Sequence, residues 1–344
     1  MNTASVLLSA LGVVPGTAPS LRAQEPEQVS GEVTCAECVI TLDTLVTIGG
    51  LDGPGLDVIS MFSTCAVDRR GRILVSGDAE ISVFDSTGKY LRTVGRKGEG
   101  PGEYQFISHI AVGSRYIHVF EQGGRTMLDH DFEVVRTDRF PGQFRSVAVL
   151  NDDVAVFAGD LLHVLRPSGQ MTSHSHDGRV HAFRPLPWET LTVVAGKDDT
   201  VWAVASMMNR LTRWDLSPEP RVGTVLDRRV AEFDEGGDAF APAGVSSIML
   251  DDRGLWLVWH TADPDWTGQL PSYENLTPSS IDIDELRDSW LDLVDPATGR
   301  TIARYHQDDV FEGFAGDTNY LFGYEETDAG VLFLHVLKPR LSRR

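Results

Sequence analysis

The residues best suited to hold a ligand stand in three places. His174, His176 and His181 lie in SHSHDGRVH. In an extended chain the i, i+2 spacing turns His174 and His176 to one side, where two imidazoles can share a metal. No carboxylate triplet or fourth ligand is fixed beside them, so exposed histidines on an outer strand are the preferred reading. Asp263, Asp265, Asp282 and Asp284 fall within Thr261 to Asp288. They supply oxygen donors but lack the central glycine and terminal bidentate glutamate of an EF-hand loop. Cys35 and Cys38 form C-A-E-C followed by Val39, not by the histidine that c-type haem needs. Zinc would require a second pair of soft ligands, and a reactive dithiol a helix start, and neither is indicated. A local structural disulfide or two unpaired thiols remain. Cys65 alternates with Ser63 and Val67 in an inner strand and is expected as a buried free thiol.

No catalytic signature is present: no serine elbow, no zincin helix, no phosphate-cradling loop ahead of a helix. In GKYLRTVGRKGEGPGEY the glycines from Gly95 to Gly102 follow a strand but open onto another strand, so they serve a turn. The expected assignment is no catalytic residue and no metal ligand.

The elements that would carry such side chains repeat about every fifty residues as groups of four strands. The first group is Phe62 to Val67, Arg72 to Ser76, Glu80 to Phe84 and Lys89 to Val94, with tight turns at Asp68 to Gly71 and Asp85 to Gly88. Further groups begin at Ile107, Phe144, Leu191 and Val245, the last interrupted by the insertion Thr261 to Asp288. A sixth has three strands, Phe311 to Ala315, Thr318 to Tyr324 and Val331 to Leu337. The lone strand Val39 to Ile48 supplies its missing outer strand and closes a ring.

DSTGKYLRTVGRKGEGPGEY, preceded by EISVFD and VDRRGRILVSG, resembles the secreted bacterial six-bladed β-propeller family related to NHL-repeat proteins. LDLVDPATGRTIARY repeats the same strand, turn, strand idea. The resemblance implies an all-β, six-bladed propeller over residues 39–338, and its relatives include both binding scaffolds and enzymes. Lactonase-like propellers hold calcium at the channel mouth and amidating-lyase-like ones hold zinc, but neither ligand set can be placed on this chain residue by residue. The expected function is a binding or scaffold module without a cofactor. The alternative is a hydrolase or lyase with a calcium or zinc ion in the central channel.

The 344-residue chain carries a formal net charge of −20, which opposes nucleic acid and anionic membranes. Ala4 to Val14 is apolar but too short to span a bilayer, and Leu21-Arg22-Ala23 offers a cleavage site. The expected layout is a signal peptide over 1–23, a disordered leader with the CxxC over 24–38, the propeller, and a basic tail over 339–344. The product is expected to be a secreted or periplasmic monomer that meets a protein or small-molecule ligand.

Strand direction places the joins between blades and the second-to-third loops on one face. These are the long loops, and long loops on a rigid ring are where binding concentrates. Arg96, Glu103, Tyr104, Trp188, His260, Asp263, Asp265 and Trp266 are the expected contact residues there.

Overall fold

A computed structural model describes residues 26–50, 64–121, 123–140, 144, 146–158, 161–174, 191–235, 243–265, 286–316, 318–327 and 331–344. Two strands precede the repeats, β1 (Glu27–Ser30) and β2 (Cys38–Gly49). Blade 1 is β3 (Cys65–Val67), β4 (Ile73–Ser76), β5 (Ile81–Phe84) and β6 (Tyr90–Val94). Blade 2 is β7 (Ile107–Val112), β8 (Ile117–Glu121), β9 (Gly124–Leu128) and β10 (Val134–Arg139). Blade 3 is β11 (Ser146–Leu150), β12 (Val154–Ala158), β13 (Leu162–Leu165) and β14 (Met171–His174). Blade 4 is β15 (Leu191–Ala195), β16 (Thr200–Ala205), β17 (Arg210–Asp215) and β18 (Arg221–Arg229), after which a short helix, α1 (Ala231–Glu235), leads to blade 5. Blade 5 is β19 (Gly244–Leu250), β20 (Leu255–Ala262), β21 (Arg287–Val294) and β22 (Thr301–Gln307). Blade 6 takes β23 (Gly313–Phe314), β24 (Leu321–Glu326) and β25 (Leu332–Arg343), with β2 as its outer strand.

The burial of each strand follows from its place in the blade. Middle strands are covered by blades on both sides, so ILVS in β4 and ISVF in β5 are buried throughout. YLRTV in β6 lies at the rim and exposes its three central residues. Clusters between blades form the core: Leu74, Ile81 and Val83 of blade 1 pack with Ile110, Ile117 and Val119 of blade 2. Trp202 and Leu226 of blade 4 likewise meet Leu257 and Trp259 of blade 5.

Tight turns are fixed by aspartates. Asp68 Oδ1 accepts the amides of Arg70 and Arg72, and Asp85 Oδ1 those of Thr87 and Lys89. Gly88 closes the second turn at φ +83°, and a Cβ there would stand 2.6 Å from Val46 Cγ2 of the closing strand.

β2 pairs antiparallel with β25 from Cys38 opposite Arg343 to Gly49 opposite Phe333, as the lone-strand reading predicts. Two expectations are corrected. The segment 24–38 contains β1, which runs parallel to β18 from Glu27 opposite Leu226 to Ser30 opposite Arg229. Its composition is polar, but an edge strand needs only unpaired backbone groups and one apolar anchor, here the buried Val29. Gln28 Nε2 donates to Asp227 Oδ2 at 2.8 Å, so the polar side chains are satisfied too. From there Thr34 N donates to Thr301 O at 2.9 Å and Cys35 N to Ile302 O at 3.2 Å, on the outer strand of blade 5. The N-terminal segment is therefore a strap across the rims of blades 4, 5 and 6. Cys35 and Cys38 form a disulfide where it passes from blade 5 to blade 6. The second correction is the basic tail: residues 339–343 continue β25 beside residues 38–42, because Leu341 packs into the apolar cluster around Ile40. The expected signal peptide, 1–23, lies outside the described residues.

Candidate functional site

The six inner strands line a central cavity of about 160 Å³. Its wall includes Thr64, His109, Ser146, Thr192, Ser246, Ser247 and Glu312. All lie at or just before the beginnings of their inner strands, so the cavity sits toward the face that carries the joins between blades. Each inner strand begins with alternation, which aims one side chain of a pair at the axis. Six strands converge there, and small hydroxyl residues recur in the wall, with His109 and Glu312 as its larger polar members.

Several of these hydroxyls also tie neighbouring blades. Ser146 Oγ accepts the amide of Val193 at 3.0 Å, and Ser247 Oγ accepts that of Phe314 at 3.0 Å. Ser246 is exposed, and its Oγ is 3.0 Å from Nε2 of His260, whose Nδ1 is 3.2 Å from Ser289 Oγ. Burial, reinforced by Arg287, pushes the His260 pKa down to about 3, so this imidazole is neutral at neutral pH. A neutral ring between two hydroxyls orients Ser246 toward the cavity. The lining offers hydroxyl groups from several directions and one carboxylate, Glu312. It is suited to hydrogen-bonding a small polar molecule.

The expected contact residues divide. Arg96 is exposed and its Nε donates to Glu103 Oε1 at 2.8 Å, while Glu103 Oε2 accepts the amide of Gly100 at 2.9 Å. The Gly100 amide, then Arg96, hold the Glu103 carboxyl below its ordinary pKa. Asp265 is exposed and Asp263 half-buried, with Asp263 Oδ1 accepting the Asp265 amide at 2.7 Å. Tyr104 and His260 are corrected as surface contacts, since both are buried. The Tyr104 ring fills the space under Gly95, where a Cβ would come within 2.7 Å of it. His260 acts one step back, through Ser246. Trp188 and Trp266 lie outside the described residues. His174 is 3.0 Å from Thr172 Oγ1 and packs on Trp214, whereas His176 and His181 lie outside the described residues.

The channel lining was missed in the sequence, although its signal is visible there. A serine or threonine recurs near the start of the first strand in four of the six groups, as Thr64, Ser146, Thr192 and Ser246 show, while the second group brings His109 to the same wall. Among the described residues no three metal-ligating side chains converge in the channel. Asp288, His306 and Asp308 do converge, on the outer half of blade 5. Burial, with the nearby charges of Asp263 and Asp308, raises the Asp288 pKa against the opposing hydrogen bond of His306.

Residues 61–171 match the family model DUF5128, described as a 6-bladed beta-propeller. No curated protein matches the chain. A candidate exported protein of Bacteroides fragilis superposes with a TM-score of 0.54 at 13% identity, over 92% of this chain and 99% of that one. A virginiamycin B lyase of Staphylococcus aureus, solved with quinupristin, gives a TM-score of 0.47 at 12% identity over 88% and 99%. The first likeness shows the fold. Among the described residues no helix is long and apolar enough to cross a membrane. Six sheets in a ring, closed by β2, and the match over 61–171 make this chain a six-bladed β-propeller similar to the DUF5128 family.

Proposed function

We propose that this protein is a secreted or periplasmic binding module that receives a small polar ligand, or the polar end of a partner, at the channel mouth. The observation that carries this reading is the cavity lined by all six inner strands on the face where the blade joins lie. Hydroxyls held by backbone amides and by a neutral His260 are pre-oriented, which lowers the cost of ordering them on binding. Arg96, Glu103, Asp263 and Asp265 stand on the same face and add charge around the opening. The likeness to an exported protein supports the address.

The test is a thermal-shift panel of sugars, amino acids and nucleosides on wild type and on Ser246→Trp, which fills the opening. Compounds that raise the wild-type melting temperature and leave Ser246→Trp unmoved support the reading. Equal shifts in both proteins contradict it.

A further inference from the structure

We propose that Asp288, His306 and Asp308 form a binding site for a first-row divalent cation of the zinc type, on the rim of blade 5 and separate from the channel. Their donor atoms all lie within 4.8 Å of one another. Asp288 Oδ2 and His306 Nε2 are 2.8 Å apart. Two ligands on neighbouring corners of a cation with bonds of about 2.1 Å sit roughly 3.0–3.4 Å apart, so a small outward shift admits the ion between them. Asp308 is exposed and follows the end of β22, so its side chain is free to rotate inward.

Charge compensation singles this cluster out. Six carboxylates are buried among the described residues: Asp68, Glu121, Asp152, Asp227, Asp288 and Asp292. Five have an arginine within ion-pair distance, namely Arg72, Arg139, Arg115, Arg210 and Arg228 in that order. Asp288 pairs instead with an imidazole, and two more carboxylates, Asp263 and Asp308, act on it electrostatically. Among the described residues Asp288 is thus the buried carboxylate with an imidazole, itself a metal-ligand type, in place of a guanidinium beside it, an arrangement that a bound cation would complete.

The support around His306 is that of a positioned ligand. Its ring lies 4.1 Å from that of Trp290, which is stacked in turn on Trp259 at 4.9 Å. Trp290 Nε1 donates to Thr261 Oγ1 at 3.0 Å, locking the indole. β21 and β22 set Trp290 opposite His306, so the strand register fixes the imidazole against Asp288. An imidazole with two carboxylates favours zinc-type ions over calcium or magnesium, which prefer all-oxygen shells.

The test is calorimetric titration of the untagged, chelator-treated full chain with Zn²⁺ alone, repeated with Ca²⁺. The expected result is one equivalent of Zn²⁺, with Ca²⁺ weaker by at least about tenfold. His306→Ala, Asp288→Asn and the exposed Asp308→Asn should each weaken Zn²⁺ by roughly tenfold or more. Asp308→Asn carries the test if either of the others fails to fold. A variant with His174, His176 and His181 changed to alanine should bind as wild type. Absence of stoichiometric uptake overturns the proposal. So does uptake that survives Asp308→Asn and His306→Ala but disappears with the three-histidine variant.

Discussion

Arg228 and Asp292 form an ion pair of 2.7 Å with both side chains fully buried, joining the outer strand of blade 4 to the third strand of blade 5. Arg228 also donates to Asn209 Oδ1, Thr301 Oγ1 and Gly299 O, and Arg304 donates to the other oxygen of Asp292. Thr301 Oγ1 and Arg304 in turn donate to Gly31 O of the strap. The pair is thus the knot through which two blades and the N-terminal segment hold one another.

Removing one partner leaves the other buried and uncompensated, which costs about 3–5 kcal/mol. Arg228→Met is therefore expected to lower urea stability by that order. The Arg228→Met, Asp292→Leu double variant should lose less than the sum of the two single changes. Additive losses in a double-mutant cycle would show that the two residues do not act as a pair.

Ring closure depends on β2. Deleting residues 1–49 exposes the whole edge of β25 and should give aggregated or unfolded protein. Deleting only 1–31 removes β1 and should lower stability while leaving a monomeric ring. A truncation at 49 that stays monomeric with unchanged stability would reject the closure.

His118 makes stability fall in acid. Burial, and then Arg125, push its pKa down to about 4 against the opposing pull of Asp152 and Asp138. Unfolding releases it to an ordinary value near 6.5, so the unfolded chain binds the extra proton between those values. The contribution is whole above about pH 6.5, declines as pH falls, and is gone below about pH 4, a loss of roughly 3 kcal/mol. Melting curves of wild type and His118→Leu between pH 8 and pH 4 should differ in slope. Parallel pH profiles would contradict this.

The thiols are equally specific. Cys65 is buried between blades, and burial pushes its pKa up to about 12. Native protein should take up no maleimide, denatured protein one equivalent, and denatured reduced protein three. Labelling of Cys65 in the native state, or a peptide joining it to Cys35 or Cys38, would refute the arrangement.

The blades were legible because their turns announce themselves: Asp68 to Gly71, Asp85 to Gly88 and Asp251 to Gly254 each pair an aspartate with a glycine between apolar runs. Closure was legible because Val39 to Ile48 had no partners of its own. The strap was not, since Glu27 to Ser30 gains its order from β18, two hundred residues away in the chain, and shows one apolar residue. Asp292, alone among Leu291, Leu293 and Val294, hinted at a buried charge, but its partner is 64 residues distant. At the site, attention to charge and aromatic area in loops picked out Arg96 and Glu103 and also Tyr104, which packs inward. The smaller hydroxyls of the inner strands carry no such emphasis, and only their convergence on one axis gives them meaning.

The most direct test of binding at the channel mouth compares the two faces in one measurement. Any compound or partner peptide that shifts the wild-type melting temperature is titrated calorimetrically against Ser246→Trp, the double variant Arg96→Ala, Trp266→Ala, and the double variant Asp153→Ala, Asp252→Ala. On the opposite face Asp252 is exposed and Asp153 half-buried beside Arg115, whereas Asp68 is buried and Asp251 engaged in holding its turn. Loss of at least about tenfold in affinity with the first two variants, and none with the third, is the expected result. Affinity unchanged by Ser246→Trp and lost with the opposite-face variant would contradict the account.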